Sequence, residues 1–68
     1  MKKIIQQLEK QKKALEKLVQ KREDYVDDRS EKWQESEACE EYMDKTMDIE
    51  SRISDLDVLI DELRELQD

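Results

Sequence analysis

Cys39 is the one side chain in this sequence with nucleophilic or redox chemistry of its own, and carboxylates surround it at helical spacing: Glu37, Glu40, Glu41, Asp44 and Asp48. A cysteine nucleophile needs a base to raise its thiolate fraction, and a redox thiol needs a second thiol to resolve it. The chain has no His and no other Cys. Cys39 therefore reads as a small apolar filler. Paired acids of the glycosidase kind need a pocket that holds them at fixed separation, which a short helical unit does not offer. The Glu-x-x-His di-iron signature is excluded without His, and no Asp-rich loop with Gly suggests calcium. The acids read as a solvated helix face. We expect no enzyme activity, no metal and no cofactor.

The remaining residues with binding chemistry are cationic and aromatic. Lys10, Lys13, Lys17 and Lys21 recur every three or four residues and make one basic strip on a helix, a geometry that could meet phosphates. The strip lacks stacking aromatics and base-reading side chains, and the acidic remainder would repel the same polyanion, which argues against a nucleic-acid partner. The acidic half could itself imitate nucleic acid before a basic groove of a host protein, although acidic helix surfaces serve solubility more often. Trp33 and Tyr42 could anchor a partner, but a Trp beside a bend more often plugs the open end of a helical pair.

These residues must be positioned by very little protein. With 68 residues the chain is one domain, covering 1–68, and too small for a large core of its own. It is 49% charged and 35% hydrophobic, without Gly, Pro or Phe, and its formal net charge is -7. Long helices, coiled coils and disordered chains share such a composition. The charge is divided unevenly: residues 1–22 hold eight Lys/Arg against Glu9 and Glu16, and all the other acids follow. No apolar run approaches a membrane span and the first ten residues are too polar for a signal peptide, so a cytoplasmic protein is expected.

Periodicity decides for helix. Ile5, Leu8, Leu15, Val19, Val26 and Trp33 fit a three-four spacing once Lys12, Arg22 and Arg29 fill its gaps. A second seam, Cys39, Tyr42, Thr46, Ile49, Ile53, Leu56, Ile60 and Leu63, keeps that spacing with only Thr46 off-type. Strand alternation is absent and Glu, Lys, Leu and Gln abound. The two seams differ in phase, so the chain must break between residues 35 and 40. The pattern predicts an all-α, two-helix antiparallel hairpin: helix one over 2–36, a bend at 36–39 carrying Trp33, Ser36, Cys39 and Tyr42, and helix two over 39–67 capped by Ser36. Facing residues would then have numbers adding to about 75, pairing Trp33 with Tyr42, Val26 with Ile49, Val19 with Leu56 and Leu15 with Ile60. A reversal at Asp27-Asp28-Arg29-Ser30 has good local chemistry, because Asp28 followed by Glu31 reads as a capping box, but it leaves unequal arms.

The central stretch RSEKWQESEACEEY resembles a pattern, R-S-E-K-W-Q-E-S-E-x-G-E-x-Y followed by a Leu/Ile-rich helix, of small uncharacterised helical-hairpin proteins of bacteria and their phages. The resemblance covers about 20 central residues closely and implies a bend but no activity. Cys39 stands where that pattern has Gly, so Cys39→Gly is expected to preserve or improve folding.

A hairpin built on these seams leaves Ile4, Leu18, Tyr25, Leu59 and Leu66 uncovered on one edge, with Glu9, Glu16, Glu23, Glu50 and Asp57 on the other. The expectation is a small self-associating interaction or assembly module, a homodimer forming a four-helix bundle or a higher homo-oligomer. The alternative is an acidic phage-type protein that binds and inhibits a host protein.

Overall fold

The computed structural model describes residues 1–67. It contains three helices in chain order, α1 (Lys2–Asp27), α2 (Glu31–Gln34) and α3 (Glu37–Leu66), and no strand among the described residues. The all-α class follows. The long helices differ in how well their own ends specify them. In α3 the Ser36 hydroxyl accepts from the Cys39 N–H, Glu37 and Glu40 sit in the first turn, and Arg64 sits in the last, all favourable against the helix dipole. In α1 the cap position is Met1 with no side-chain cap, and neither end carries the favoured charge. That helix depends on packing for its stability.

The reversal is not the single bend expected at 36–39. Helix one stops at Asp27, nine residues short of the expected 36, and a four-residue helix stands between two corners. The two corners are built alike. A last residue in right-handed helical conformation, Asp28 and then Glu35, precedes an extended serine that caps the next helix, Ser30 with Arg29 between at the first corner and Ser36 directly at the second. Ser30 accepts from the Trp33 N–H at 3.2 Å, so the cap at the first corner is Ser30 and not Asp28. Gln34 closes the gap from the other side: its amide donates at 2.9 Å to the carbonyl of Val26, which also accepts the Arg29 N–H at 3.1 Å, and at 3.1 Å to the carbonyl of Arg29 just past the end of α1. Among the described residues no φ is positive. Two serine-capped corners thus do what one left-handed glycine commonly does. Cys39 accordingly lies within the first turn of α3 rather than in a bend, and nothing there asks for Gly.

Helices α1 and α3 lie side by side and run in opposite directions. Arg22 meets Thr46, Tyr25 meets Tyr42, and Lys12 meets Asp57, pairs whose numbers add to about 68. The expected value near 75 is therefore displaced by one heptad. Trp33 does pack on Tyr42, but the register puts Val19 opposite Ile49 rather than Leu56, and Leu15 opposite Ile53 rather than Ile60. A seven-residue displacement returns every seam position to a seam position, so apolar pattern alone cannot separate the two registers. Coverage separates them. In the longer register Ile5 would have no opposite number and Leu8 would meet Gln67; in the observed one both fall against α3, and Ile5 is buried.

The resulting molecule is a thin rod, with Cα extents of 54 × 15 × 10 Å. Its apolar core consists of Ile5, Val19, Cys39 and Ile60, joined by buried Thr46. Every other seam residue is half-buried except Arg29, which is exposed.

Candidate interaction surface

The reversal is held by an aromatic cluster that draws on all three helices. Tyr25 stacks on Tyr42 with ring centroids 5.0 Å apart, and Trp33 meets both edge-on at 5.7 and 6.0 Å. Such arrangements match the ring quadrupoles. Two guanidinium groups cover the cluster, Arg22 at 4.0 Å from the Tyr42 centroid and Arg29 at 4.4 Å from the Tyr25 centroid. Trp33, Ser36, Cys39 and Tyr42, the residues expected at the bend, do come together here, but Tyr25 joins them. Its ring, expected on the self-association edge, packs on Tyr42 and Trp33 and is still 42% exposed, as Leu18 is.

Beside the cluster is a polar layer formed where each apolar seam has an off-type residue. Arg22 donates from Nε to Thr46 Oγ1 at 2.8 Å and from Nη2 to the Tyr42 carbonyl at 3.1 Å, while Thr46 Oγ1 donates to that same carbonyl at 3.0 Å. Arg22 was a gap in the first seam and Thr46 the single off-type residue in the second. That each seam has a polar interruption was the signal that the two could meet.

Farther from the reversal, ion pairs line one edge. Lys12 Nζ reaches Asp57 Oδ1 at 2.6 Å, and Arg64 pairs with Glu9 across the helices. The hydrogen bond that Lys12 donates to Asp57, with that carboxylate's negative charge, holds the Lys12 ammonium above the ordinary lysine pKa. These pairs occupy the edge expected to be acidic, and they neutralise part of it.

The opposite edge is bare. Ile4 is 56% exposed and Leu66 70%, and Leu18 and Leu59 are exposed as well. Met1, Met47 and Val58 are further exposed apolar side chains that the seam analysis did not single out, because none of them belongs to that edge row. The whole surface measures 5737 Å². A compact folded chain of this size exposes about 4,600 Å². The excess, on the order of 1,100 Å², exceeds the roughly 800 Å² that each partner loses in a standard protein interface.

Other candidate chemistry is dispersed. The strip Lys10, Lys13, Lys17 and Lys21 is exposed, as are Glu37, Glu40, Glu41, Asp44 and Asp48. Among the described residues no group of three or more His, Cys, Asp or Glu is placed to hold a metal ion, and the Cys39 thiol is buried. No helix among them is long and apolar enough to cross a membrane. The chain matches no protein-family model, no curated protein and no solved structure.

Proposed function

We propose that this chain is a non-enzymatic helical assembly module: an antiparallel hairpin, with α1 and α3 as its arms, that self-associates through the edge holding Ile4, Leu18, Leu59 and Leu66. The observation that carries this reading is the surplus of exposed surface together with large aliphatic side chains gathered on a single edge. Burying each such side chain is worth roughly 1.5–3 kcal/mol, a large share of the stability of so small a fold. A homodimer closing as a four-helix bundle is the simplest arrangement, and a higher homo-oligomer the next. The lone buried thiol suits the reducing cytoplasm.

Sedimentation equilibrium at micromolar concentration tests the reading. We expect a dimer, and we expect Leu18→Glu combined with Leu59→Glu to give an unfolded monomer. A stable, fully helical monomer would overturn it.

One observation supports a second reading. Glu37, Glu40, Glu41, Asp44 and Asp48 are exposed, and none forms an ion pair among the described residues. An acidic phage-type inhibitor would offer such a row to a basic groove of a host protein, in keeping with the resemblance of residues 29–42 to bacterial and phage proteins. It would capture one specific host protein in a salt-sensitive way, with carboxylate-to-amide changes in that row abolishing capture.

A further inference from the structure

The faces that α1 and α3 turn away from each other each carry one sign of charge. On α1, Lys3, Lys10, Lys13, Lys17 and Lys21 are exposed and lie within an arc of about 80° at 3.6 residues per turn, opposite the residues that meet α3. The acids among residues 2–21, Glu9 and Glu16, stand instead on the edge that carries the ion pairs. On α3, Glu41, Asp48, Asp55 and Glu62 recur every seven residues and are exposed, with exposed Glu37 and Asp44 beside them. The cations of that helix, Lys45, Arg52 and Arg64, stand in the rows bordering its seam. Because the helices lie side by side, the basic and the acidic face are on opposite sides of the rod.

Neither face is neutralised within the chain. None of the five lysines has an ion pair among the described residues, and of the six acids only Asp55 does, with Arg52 of its own helix at 3.5 Å. Each face also sets like charges four residues apart: Lys13 with Lys17 and Lys17 with Lys21 on one helix, Glu37 with Glu41 and Asp44 with Asp48 on the other. Such pairs cost helix stability. A surface that serves solubility alone intersperses the two signs and avoids that cost. An opposed face of the other sign relieves it.

We infer that the basic face of α1 is a second contact surface, separate from the apolar edge, and that its occupant is the acidic α3 face of another copy. The chain itself carries the complementary surface at the same repeat, so one occupant accounts for both faces. Lys3, Lys10 and Lys17 advance about 10.5 Å per seven residues, as do Glu41, Asp48, Asp55 and Glu62, and the rows stay in step whichever way the second copy runs. The net charge of -7 opposes the approach of copies at long range. At ~0.1 M ionic strength, charges more than about 10 Å apart are screened and the touching rows dominate. Each copy offers each face once, on opposite sides, so the contact is heterologous and builds an open row rather than a closed pair. Exposed ion pairs are individually weak, and this contact therefore forms at higher concentration than the one through the apolar edge.

Sedimentation equilibrium of the unaltered chain from about 10 µM to about 1 mM, at two ionic strengths, tests this. At ~0.1 M salt the mean mass should grow beyond the dimer by about twofold or more across that range; at about 1 M, where the screening length is about 3 Å, it should not. Exchanging charges between the faces, Lys10→Glu and Lys17→Glu with Asp48→Lys and Asp55→Lys, keeps the net charge at -7 and leaves Ile4, Leu18, Leu59 and Leu66 in place. That chain, with helicity checked by circular dichroism, should lose the growth at low salt. Should the exchange cost helicity, Lys10→Gln with Lys17→Gln poses the same question. Growth beyond the dimer that persists at high salt or in the exchanged chain would overturn the inference, as would a mass independent of concentration or uptake of a DNA duplex by the basic face in place of self-assembly. A constant dimer would leave the edge contact standing. A monomer at micromolar concentration that grows only at low salt would remove the edge contact and leave this one.

Discussion

Arg22 on α1 and Thr46 on α3 form a hydrogen bond of 2.8 Å across the helix pair, and Thr46, at 1% exposure, is the most enclosed side chain among the described residues. The two meet only in the observed register. One heptad away, Arg22 would face Ile53 and Thr46 would face Arg29. Leaving a buried hydroxyl or a half-buried guanidinium without a partner costs more than the bond itself contributes, so this layer penalises slippage that the apolar seam tolerates.

Thr46→Val should therefore destabilise the fold by about 1–2 kcal/mol, since it removes the hydroxyl and leaves Arg22 Nε without its acceptor, although Nη2 keeps the Tyr42 carbonyl. Arg22→Leu together with Thr46→Val should recover most of that loss while weakening the choice of register. Urea unfolding of the single and double variants gives the coupling directly; additive losses would show that the two side chains act independently.

Cys39→Gly should lower stability, by about 1–2 kcal/mol, contrary to the expectation drawn from a Gly-containing bend pattern. Cys39 is buried inside the first turn of α3, where Gly forfeits both apolar burial and helix propensity. Cys39→Ala should cost less. Thermal unfolding followed by circular dichroism would check the order, and a Gly variant as stable as the parent would disprove it.

Ser36→Ala should cost about 1 kcal/mol, because the Cys39 N–H loses its acceptor at the start of α3. Gln34→Ala should also destabilise, by taking the side-chain donor from the Arg29 carbonyl and one of two donors from the Val26 carbonyl. Amide exchange should then quicken around the reversal before it quickens at Ile60; uniform acceleration along the chain would speak against a local role.

Lys12 bears on alkaline behaviour. Its pKa is raised in the folded state by the hydrogen bond to Asp57, so its contribution to stability is complete below the ordinary lysine value and is lost as pH rises through the raised one. Lys12→Met should leave stability near neutral pH little changed, since a seam position gains apolar cover as the exposed ion pair is lost, and should flatten the fall above pH 10. An unchanged alkaline fall in the variant would assign it to other groups.

Ile60→Ala should be the most damaging of the simple truncations. The side chain is 2% exposed in a core of very few residues, and such changes cost about 2–5 kcal/mol. Val58→Ala, two residues away and exposed, should change stability by less than about 0.5 kcal/mol. Equal effects in a melting experiment would place Ile60 outside the core.

What could be read from residue order alone was local and periodic. The two long helices, though not where the first one ends, both seams and an edge with Ile4, Leu18, Tyr25, Leu59 and Leu66 follow from a three-four repeat, because each turn repeats the same geometric relation. Ser36 as the cap of α3 follows from a hydroxyl placed before a helix-forming run. Tertiary structure decided what repetition leaves degenerate. Sliding one seam past the other by seven residues keeps seam positions against seam positions, and the choice rests on covering Ile5 and Leu8 and on seating Arg22 against Thr46 across 24 residues of sequence. The reversal was ambiguous for a related reason. Residues 27–30 and 35–36 each carry the signals of a helix boundary, and only the packing of Tyr25, Trp33 and Tyr42 into one cluster required the chain to turn at both.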